Sequence, residues 1–169
     1  KMKYLIIVVI FLSTFILFYK GLKNDPKAVP SNLISKDIPN FILKGLNGKP
    51  FSNQDLSYKG IKIVNFFASW CPPCKVEHEH LMNLSKNYDI YGIVKKDTLE
   101  NIKLWFEKKG NPYKKIGFDN DGLTSIEWGV YGLPETFIVS KSGQILYRHI
   151  GPITENNIDK IVDIIDSSL

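Results

Sequence analysis

Cys71 and Cys74 are the only thiols in this chain, and two prolines separate them in Trp70-Cys71-Pro72-Pro73-Cys74. Thiols at this spacing close into a small disulfide ring and reopen by exchange with another disulfide. An apolar, strand-like run from Ile61 to Ala68 precedes the pentapeptide, and a helical pattern follows from about Lys75 to Lys86. Cys71 thus stands at a strand-to-helix junction, where the N–H groups of the first turn point outward and stabilise a thiolate. The chemistry to expect is thiol–disulfide exchange. Cys71 is the candidate nucleophile, being the thiol that a substrate reaches at the helix entry. Cys74, one turn inside, is the candidate resolving thiol. Pro72 and Pro73 set φ for the first turn and lack the N–H groups that would be orphaned there.

Two other uses of the cysteines compete with exchange. A structural staple is unnecessary, because the 134 residues from Lys36 to Leu169 suffice to bury about two-thirds of their surface without one. A metal site is the sharper rival. His78 lies four residues after Cys74, so Cys71, Cys74 and His78 offer three soft ligands to copper or zinc. His80 falls off that face, and no further cysteine completes a common site. A copper or zinc carrier is therefore the alternative class, and the expectation is a redox pair with no metal and no other cofactor.

These thiols must be held by a core, and the composition permits one. Apolar residues make up 44% and charged residues 23%, the balance of a packed chain without repeats or low-complexity segments. The net charge is +5, but 21 of the 22 basic residues are lysine and only Arg148 is arginine. Scattered lysines without arginine forks describe a solvated surface, so no nucleic-acid partner is expected.

Residues 4–19 form an uncharged run, YLIIVVIFLSTFILFY, with Lys1 and Lys3 before it and Lys20 and Lys23 after it. Sixteen helical residues span about 24 Å, slightly short of a hydrocarbon core of about 30 Å. Flanking Tyr and Lys side chains at the interface make up the difference. A cleaved leader has a similar apolar region, but no small-x-small site follows in Lys20 to Pro26. The expectation is a retained membrane anchor over 1–20, a polar tether with Pro26 and Pro30 over 21–35, and one domain over 36–169.

Within that domain the order of elements is legible. Asn47-Gly48 between Phe41-Ile42-Leu43 and Phe51 signals a hairpin, and a short helix covers Asn53 to Tyr58. The strand before the cysteines and the helix after them come next, with Val76, Leu81 and Leu84 as the expected buried stripe. A strand follows at Ile90 to Val94, then a helix from Leu99 to Lys108 whose Ile102, Trp105 and Phe106 face the core. A short strand near Ile116 to Phe118 and a helix around Leu123 to Trp128 precede strands at Thr136 to Ser140 and Ile145 to His149. A helix from about Thr154 closes the chain. This is a βαβ half joined to a ββα half, an α/β architecture with a central mixed sheet between helices.

On that order, three segments carry a family resemblance. They are Ala68-Ser69 with the cysteine pentapeptide and Glu77-His78 after it, the run Gly129-Val130-Tyr131-Gly132-Leu133-Pro134-Glu135-Thr136-Phe137-Ile138, and Tyr147-Arg148-His149-Ile150-Gly151. Together they resemble the CcmG/DsbE family of cytochrome c maturation, whose fold is thioredoxin-like. The resemblance implies an N-terminal hairpin extension on that fold and a single-pass protein of the bacterial inner membrane, its domain facing the periplasm. It implies a reductant that keeps the haem-attachment cysteines of apocytochrome c reduced, directly or through another maturation thiol protein. The recharging partner it implies is a membrane protein that passes on electrons from cytoplasmic thioredoxin. Direction is not set by the motif, since 30 mV amounts to about 1.4 kcal/mol, so a general oxidant or isomerase stays as the alternative.

The resemblance also assigns roles beyond the cysteines. Pro134 matches the fold's cis-proline loop, leaving the backbone of Leu133 to pair with an extended substrate. Trp70, Pro72 and Pro73 border the thiols as substrate-facing residues. Thioredoxin has a buried aspartate where this chain has Asn65, and an amide cannot serve as a carboxylate base. Proton handling therefore passes to Glu77, three residues past Cys74, and to Glu135 beside the proline.

Overall fold

The computed structural model describes residues 2–22, 33–57 and 60–168. The chain divides into two compact units, Lys1–Pro30 and Ser31–Leu169. Most of the expected tether lies outside the described residues.

The described residues of the first unit form one helix, α1 (Met2–Leu22). Its 21 residues extend about 31 Å, so the helix outruns the apolar stretch and matches a hydrocarbon core by itself. Tyr4 to Tyr19 are exposed along its length, a surface that water solvates poorly. The two hydroxyls in the run turn back on the helix, with Ser13 Oγ and Thr14 Oγ1 each donating to the Ile10 carbonyl at 2.8 Å. That is how hydroxyls are satisfied where no water is available.

The second unit is built on a seven-stranded sheet. Its strands are β1 (Ile42–Gly45), β2 (Phe51–Ser52), β3 (Lys62–Phe67), β4 (Asp89–Lys95), β5 (Lys115–Asp119), β6 (Glu135–Val139) and β7 (Ile145–Ile150). The spatial order is β2-β1-β5-β4-β3-β6-β7. Strands β3, β4 and β5 run parallel, whereas β6, β7 and the β1–β2 hairpin pair antiparallel. Helices α2 (Pro72–Leu84), α3 (Leu99–Lys109), α4 (Leu123–Glu127) and α5 (Glu155–Asp166) fill the connections and the C-terminal end. The segment after β2 is a single 3-10 turn, Asn53–Leu56, shorter than the expected helix, whose last residue, Tyr58, lies outside the described ones.

Strand β3 is buried at all six positions, as a central strand covered on both faces must be. One face packs Ile63, Phe67, Leu81, Ile102, Ile116 and Ile161 together with both cysteines. The other packs Val64, Phe66, Trp128, Phe137 and the hairpin residues Leu43 and Phe51. The functional motif therefore emerges from the best-anchored strand of the fold.

One glycine fits two aromatic rings beside that strand. Gly92 of β4 lies in register with Asn65 of β3. A Cβ there would come within 2.8 Å of Phe67 Cε1 and 3.0 Å of Tyr113 Cδ1. The two rings instead stack across the gap, centroids 4.5 Å apart and planes within 13°. We predict that Gly92→Ala destabilises the domain by about 1–3 kcal/mol through overpacking, seen as a lower urea midpoint with an unchanged m-value.

Candidate active site

The strand-to-helix junction is tighter than the hydrophobic pattern suggests. Helix α2 begins at Pro72, three residues earlier than expected, with prolines in its first turn and Cys71 as the N-cap. Cys71 Sγ accepts from the Cys74 amide at 3.2 Å, so the sulfur takes the place of a capping oxygen. The two cysteines form a disulfide, with Cα atoms 5.3 Å apart. Cys71 is 3% exposed and Cys74 1%. Cys71 is thus more enclosed than a helix-entry position implies, and the half-buried Leu133 packs against the cluster that includes both cysteines.

The inward face of α2 corrects the expected stripe. Cys74, Glu77, His78, Leu81 and Leu84 are buried, whereas Val76 is 60% exposed. The buried face carries a carboxyl group and an imidazole, which a hydrophobic-periodicity reading passes over.

Glu77 is fully buried. Its Oε1 accepts from Asn65 Nδ2 at 2.9 Å and its Oε2 from the Ile153 amide at 3.0 Å. Burial pushes its pKa from an ordinary 4.5 up to about 8, and the two hydrogen bonds only partly oppose that rise. At i+3 from Cys74 it lies on the same helix face one turn on. Asn65 is itself completed by Thr136 Oγ1 at 3.0 Å and by the Tyr113 hydroxyl, which donates to its Oδ1 at 2.8 Å.

Glu135, also fully buried, has different company. Its Oε1 accepts from the amides of Tyr131 and Gly132 at 2.7 and 3.0 Å. Its Oε2 meets the Arg148 guanidinium at 2.6 Å to Nη2 and 2.7 Å to Nε. Arg148 also donates to the Gly129 carbonyl at 2.8 Å and lies over the Tyr131 ring, 4.9 Å from its centroid. This acid and its cation tie down the loop that leads into Pro134. The Leu133–Pro134 bond is cis, as the family resemblance implies, and the Pro134 carbonyl accepts from the Gly151 amide at 3.0 Å.

Of the remaining candidates, Pro72 and Pro73 are exposed. Trp70 is 57% exposed, and its indole donates to the Lys96 carbonyl at 3.1 Å. Beside it, Asp97 accepts from the Ser69 amide at 2.6 Å, from Thr98 N and from Asn101 Nδ2. Burial would raise the Asp97 pKa, but these hydrogen bonds outweigh it and hold the group below the usual range. His78 does not turn to the thiols. Its Nε2 lies 3.3 and 3.2 Å from the carbonyls of Lys109 and Gly110 at the end of α3. Among the described residues no group of three or more His, Cys, Asp or Glu is placed to hold a metal.

The structure places Cys71, Cys74 and Leu133 at one core cluster, and it joins to Asn65 and Glu77 the partners Tyr113, Thr136 and the Ile153 amide, which sequence reasoning missed. One signal was available. Asn65 sits among apolar residues in the middle of the central strand, and a buried amide demands partners.

Comparison with known proteins agrees with this geometry. The redoxin family model matches residues 34–164. The thiol:disulfide interchange protein HelX of Rhodobacter capsulatus is 42% identical over 143 residues, covering 83% of this chain and 81% of that protein. This chain belongs to the DsbE-type thiol:disulfide interchange proteins of the redoxin family. DsbE of Escherichia coli K12 is 38% identical over 133 residues, 77% of this chain and 72% of its own. A DsbE crystal structure from Chlorobium tepidum superposes with a TM-score of 0.69 at 22% identity, covering 80% of this chain and 96% of that one. At that identity it speaks for the thioredoxin-like fold alone. As a DsbE-type chain, the protein is a thiol:disulfide oxidoreductase, and the Cys71–Cys74 disulfide is its redox pair.

The raised pKa of Glu77 has a stability signature. The folded chain holds that proton more tightly than the unfolded one, so the contribution is complete below pH 4.5 and is lost as pH rises through about 8. Burial lowers the His78 pKa, which gives the opposite slope around its ordinary 6.5. Comparison with Glu77→Gln isolates the carboxyl. Melting curves at pH 5 and pH 8 are expected to show the variant gaining stability relative to the native chain as pH rises. A pH-independent difference would show that burial does not raise the Glu77 pKa.

Proposed function

We propose that this chain is a membrane-anchored, periplasm-facing reductant of cytochrome c maturation, which keeps haem-attachment cysteines of apocytochrome c reduced directly or through a maturation thiol protein. The observation that carries the reading is a disulfide at the N-cap of α2 with a buried carboxyl group of raised pKa one turn further in. That is the arrangement a resolving thiol needs. The family likeness supplies the substrate class. The exposed apolar helix α1, long enough to cross a bilayer, supports an anchor over 1–20 joined by the 21–35 segment to a thioredoxin-like domain over 36–169.

The steps follow from the positions of the groups. In the reduced protein the Cys71 thiolate, stabilised by the start of α2, attacks one sulfur of a substrate disulfide. The substrate S–S bond breaks, a mixed disulfide with Cys71 forms, and the other substrate sulfur leaves as a thiolate that takes a proton. The Glu77 carboxylate then accepts the proton of the Cys74 thiol, its pKa of about 8 lying close to that of a thiol. The Cys74 thiolate attacks Cys71 Sγ, a disulfide joins the two cysteines, and the second substrate sulfur leaves and is protonated. Two electrons have passed from the protein to the substrate. A membrane dithiol donor, recharged from cytoplasmic thioredoxin, returns them by the reverse exchange.

Other residues position the partners. Leu133, ahead of the cis-proline, offers its backbone to an extended substrate chain. Trp70, Pro72 and Pro73 form the exposed rim against which that chain rests. Glu135 is assigned to holding the loop rather than to carrying protons, since it is paired with the Arg148 guanidinium, whereas Glu77 meets only neutral donors. The oxidant and isomerase readings share all of this chemistry and differ in the partners captured.

Cys74→Ser in cells leaves Cys71 unresolved, so mixed disulfides accumulate. Their disulfide-linked partners are expected to be apocytochrome c or its maturation thiol proteins; a trapped set of unrelated secreted proteins would contradict the reductant reading. Cys71→Ser is expected to abolish disulfide reduction while the domain still melts cooperatively, and retained activity would remove Cys71 as the nucleophile.

A further inference from the structure

The amide of Asn65 has two ways to face Glu77, and they have opposite effects on it. With Nδ2 forward, the side chain donates to the carboxylate and favours the ionised form. With Oδ1 forward, it can only accept, and it favours the protonated acid. Something must choose between them.

The choice is made on the far side of the amide. The Tyr113 hydroxyl reaches Asn65 Oδ1 at 2.8 Å, both groups being buried. Burial, with the Glu77 charge adding to it, pushes the Tyr113 hydroxyl pKa well above its usual range, so it keeps its proton and donates. A donor on Oδ1 turns Nδ2 towards Glu77 Oε1 and Thr136 Oγ1, at 2.9 and 3.0 Å. Tyr113 is in turn fixed in three ways. Its ring stacks on Phe67, its amide donates to Asn111 Oδ1 at 2.9 Å, and the missing Cβ of Gly92 leaves room for the ring.

We propose that Tyr113 is a positioning residue for the resolving step: acting through Asn65, it aims a hydrogen-bond donor at Glu77 and so sets how readily that carboxylate takes the Cys74 proton. This rests on Glu77 as the proton acceptor and extends that reading to a residue outside every motif of the family resemblance. The Tyr113 hydroxyl is bonded to Asn65 rather than to either thiol. Besides the two cysteines, the titratable group coupled to Glu77 is Tyr113, ahead of β5. Elsewhere on the surrounding elements, His78 of α2 faces the carbonyls at the end of α3, Lys62 opens β3, Glu135 of β6 is paired with Arg148 of β7, and His149 of β7 lies in register with Thr136. The other direct donor to Glu77, the Ile153 amide, is backbone and does not titrate.

The test uses the reduced full chain in detergent and an aromatic disulfide whose leaving thiolate is coloured. A first equivalent reports attack by Cys71, and a second, slower one reports resolution by Cys74. In the native chain the second phase is expected to accelerate through an inflection near pH 8. Tyr113→Phe keeps the stacked ring and removes only the hydroxyl, and it should move that inflection up by about half to one pH unit, the scale of one buried hydrogen bond. The first phase should stay where it was. Asn65→Ala should produce a shift in the same direction, and the double variant should shift no further than Asn65→Ala alone, because Tyr113 acts through Asn65. An unmoved inflection in Tyr113→Phe, with or without a lower melting temperature, would reduce Tyr113 to a packing residue. Additive shifts would overturn its action through Asn65. A native chain with no inflection in the second phase would instead remove Glu77 as the acceptor, which separates failure of that reading from failure of this one.

Discussion

The burial of the Glu77 carboxyl is the constraint on which the rest of the site depends. An acid taken out of water demands hydrogen-bond donors, and here they come from two separate parts of the chain. Asn65 approaches from the central strand, and the Ile153 amide approaches from the turn before the last helix. Strand, helix and C-terminal turn are thereby fixed around one side chain, a single turn from the resolving cysteine. The same burial that would penalise a structural carboxylate places this one where a thiol proton can be taken at neutral to mildly alkaline pH.

Two fully buried glutamates lie in this domain, and their surroundings divide the labour. Glu77 is met by neutral donors, an amide side chain and a backbone N–H. Glu135 is met by the guanidinium of Arg148 and two loop amides. A buried acid paired with a cation is a fastening for a loop, since breaking the pair strands a charge in the interior. A buried acid met only by neutral donors can gain or lose its proton at little cost to its surroundings. Environment rather than residue type separates the proposed proton acceptor from the clamp, and the lone arginine of the chain is the residue that makes the difference.

Much of the fold is legible in the sequence, because the order of apolar strands and amphipathic helices is itself the thioredoxin-like order. Asn47-Gly48 marks the hairpin, and Thr154 marks the start of the last helix. The thiols and the proline loop were equally accessible, being contiguous motifs. What failed to show was whatever joins residues distant in the chain. Val76 appeared to belong to the buried face of α2, since periodicity counts apolar residues, whereas the true face carries Glu77 and His78. Tyr113 stands 48 residues from Asn65, and no local pattern announces a hydrogen bond across that distance. The one local trace of the network is the amide within β3, a polar residue where a central strand should have none.

The central claim is that burial holds the Glu77 carboxyl protonated well beyond the ordinary range, ready to exchange a proton with Cys74. The direct measurement is the titration of that carboxyl by carbon NMR in the side-chain-labelled full chain, oxidised and reduced, assigned by its loss in Glu77→Gln. The account predicts a midpoint near pH 8 with the disulfide formed, and one that moves when the pair is reduced and the thiols titrate beside it. A midpoint close to the ordinary 4.5, indifferent to the redox state of the cysteines, would contradict it.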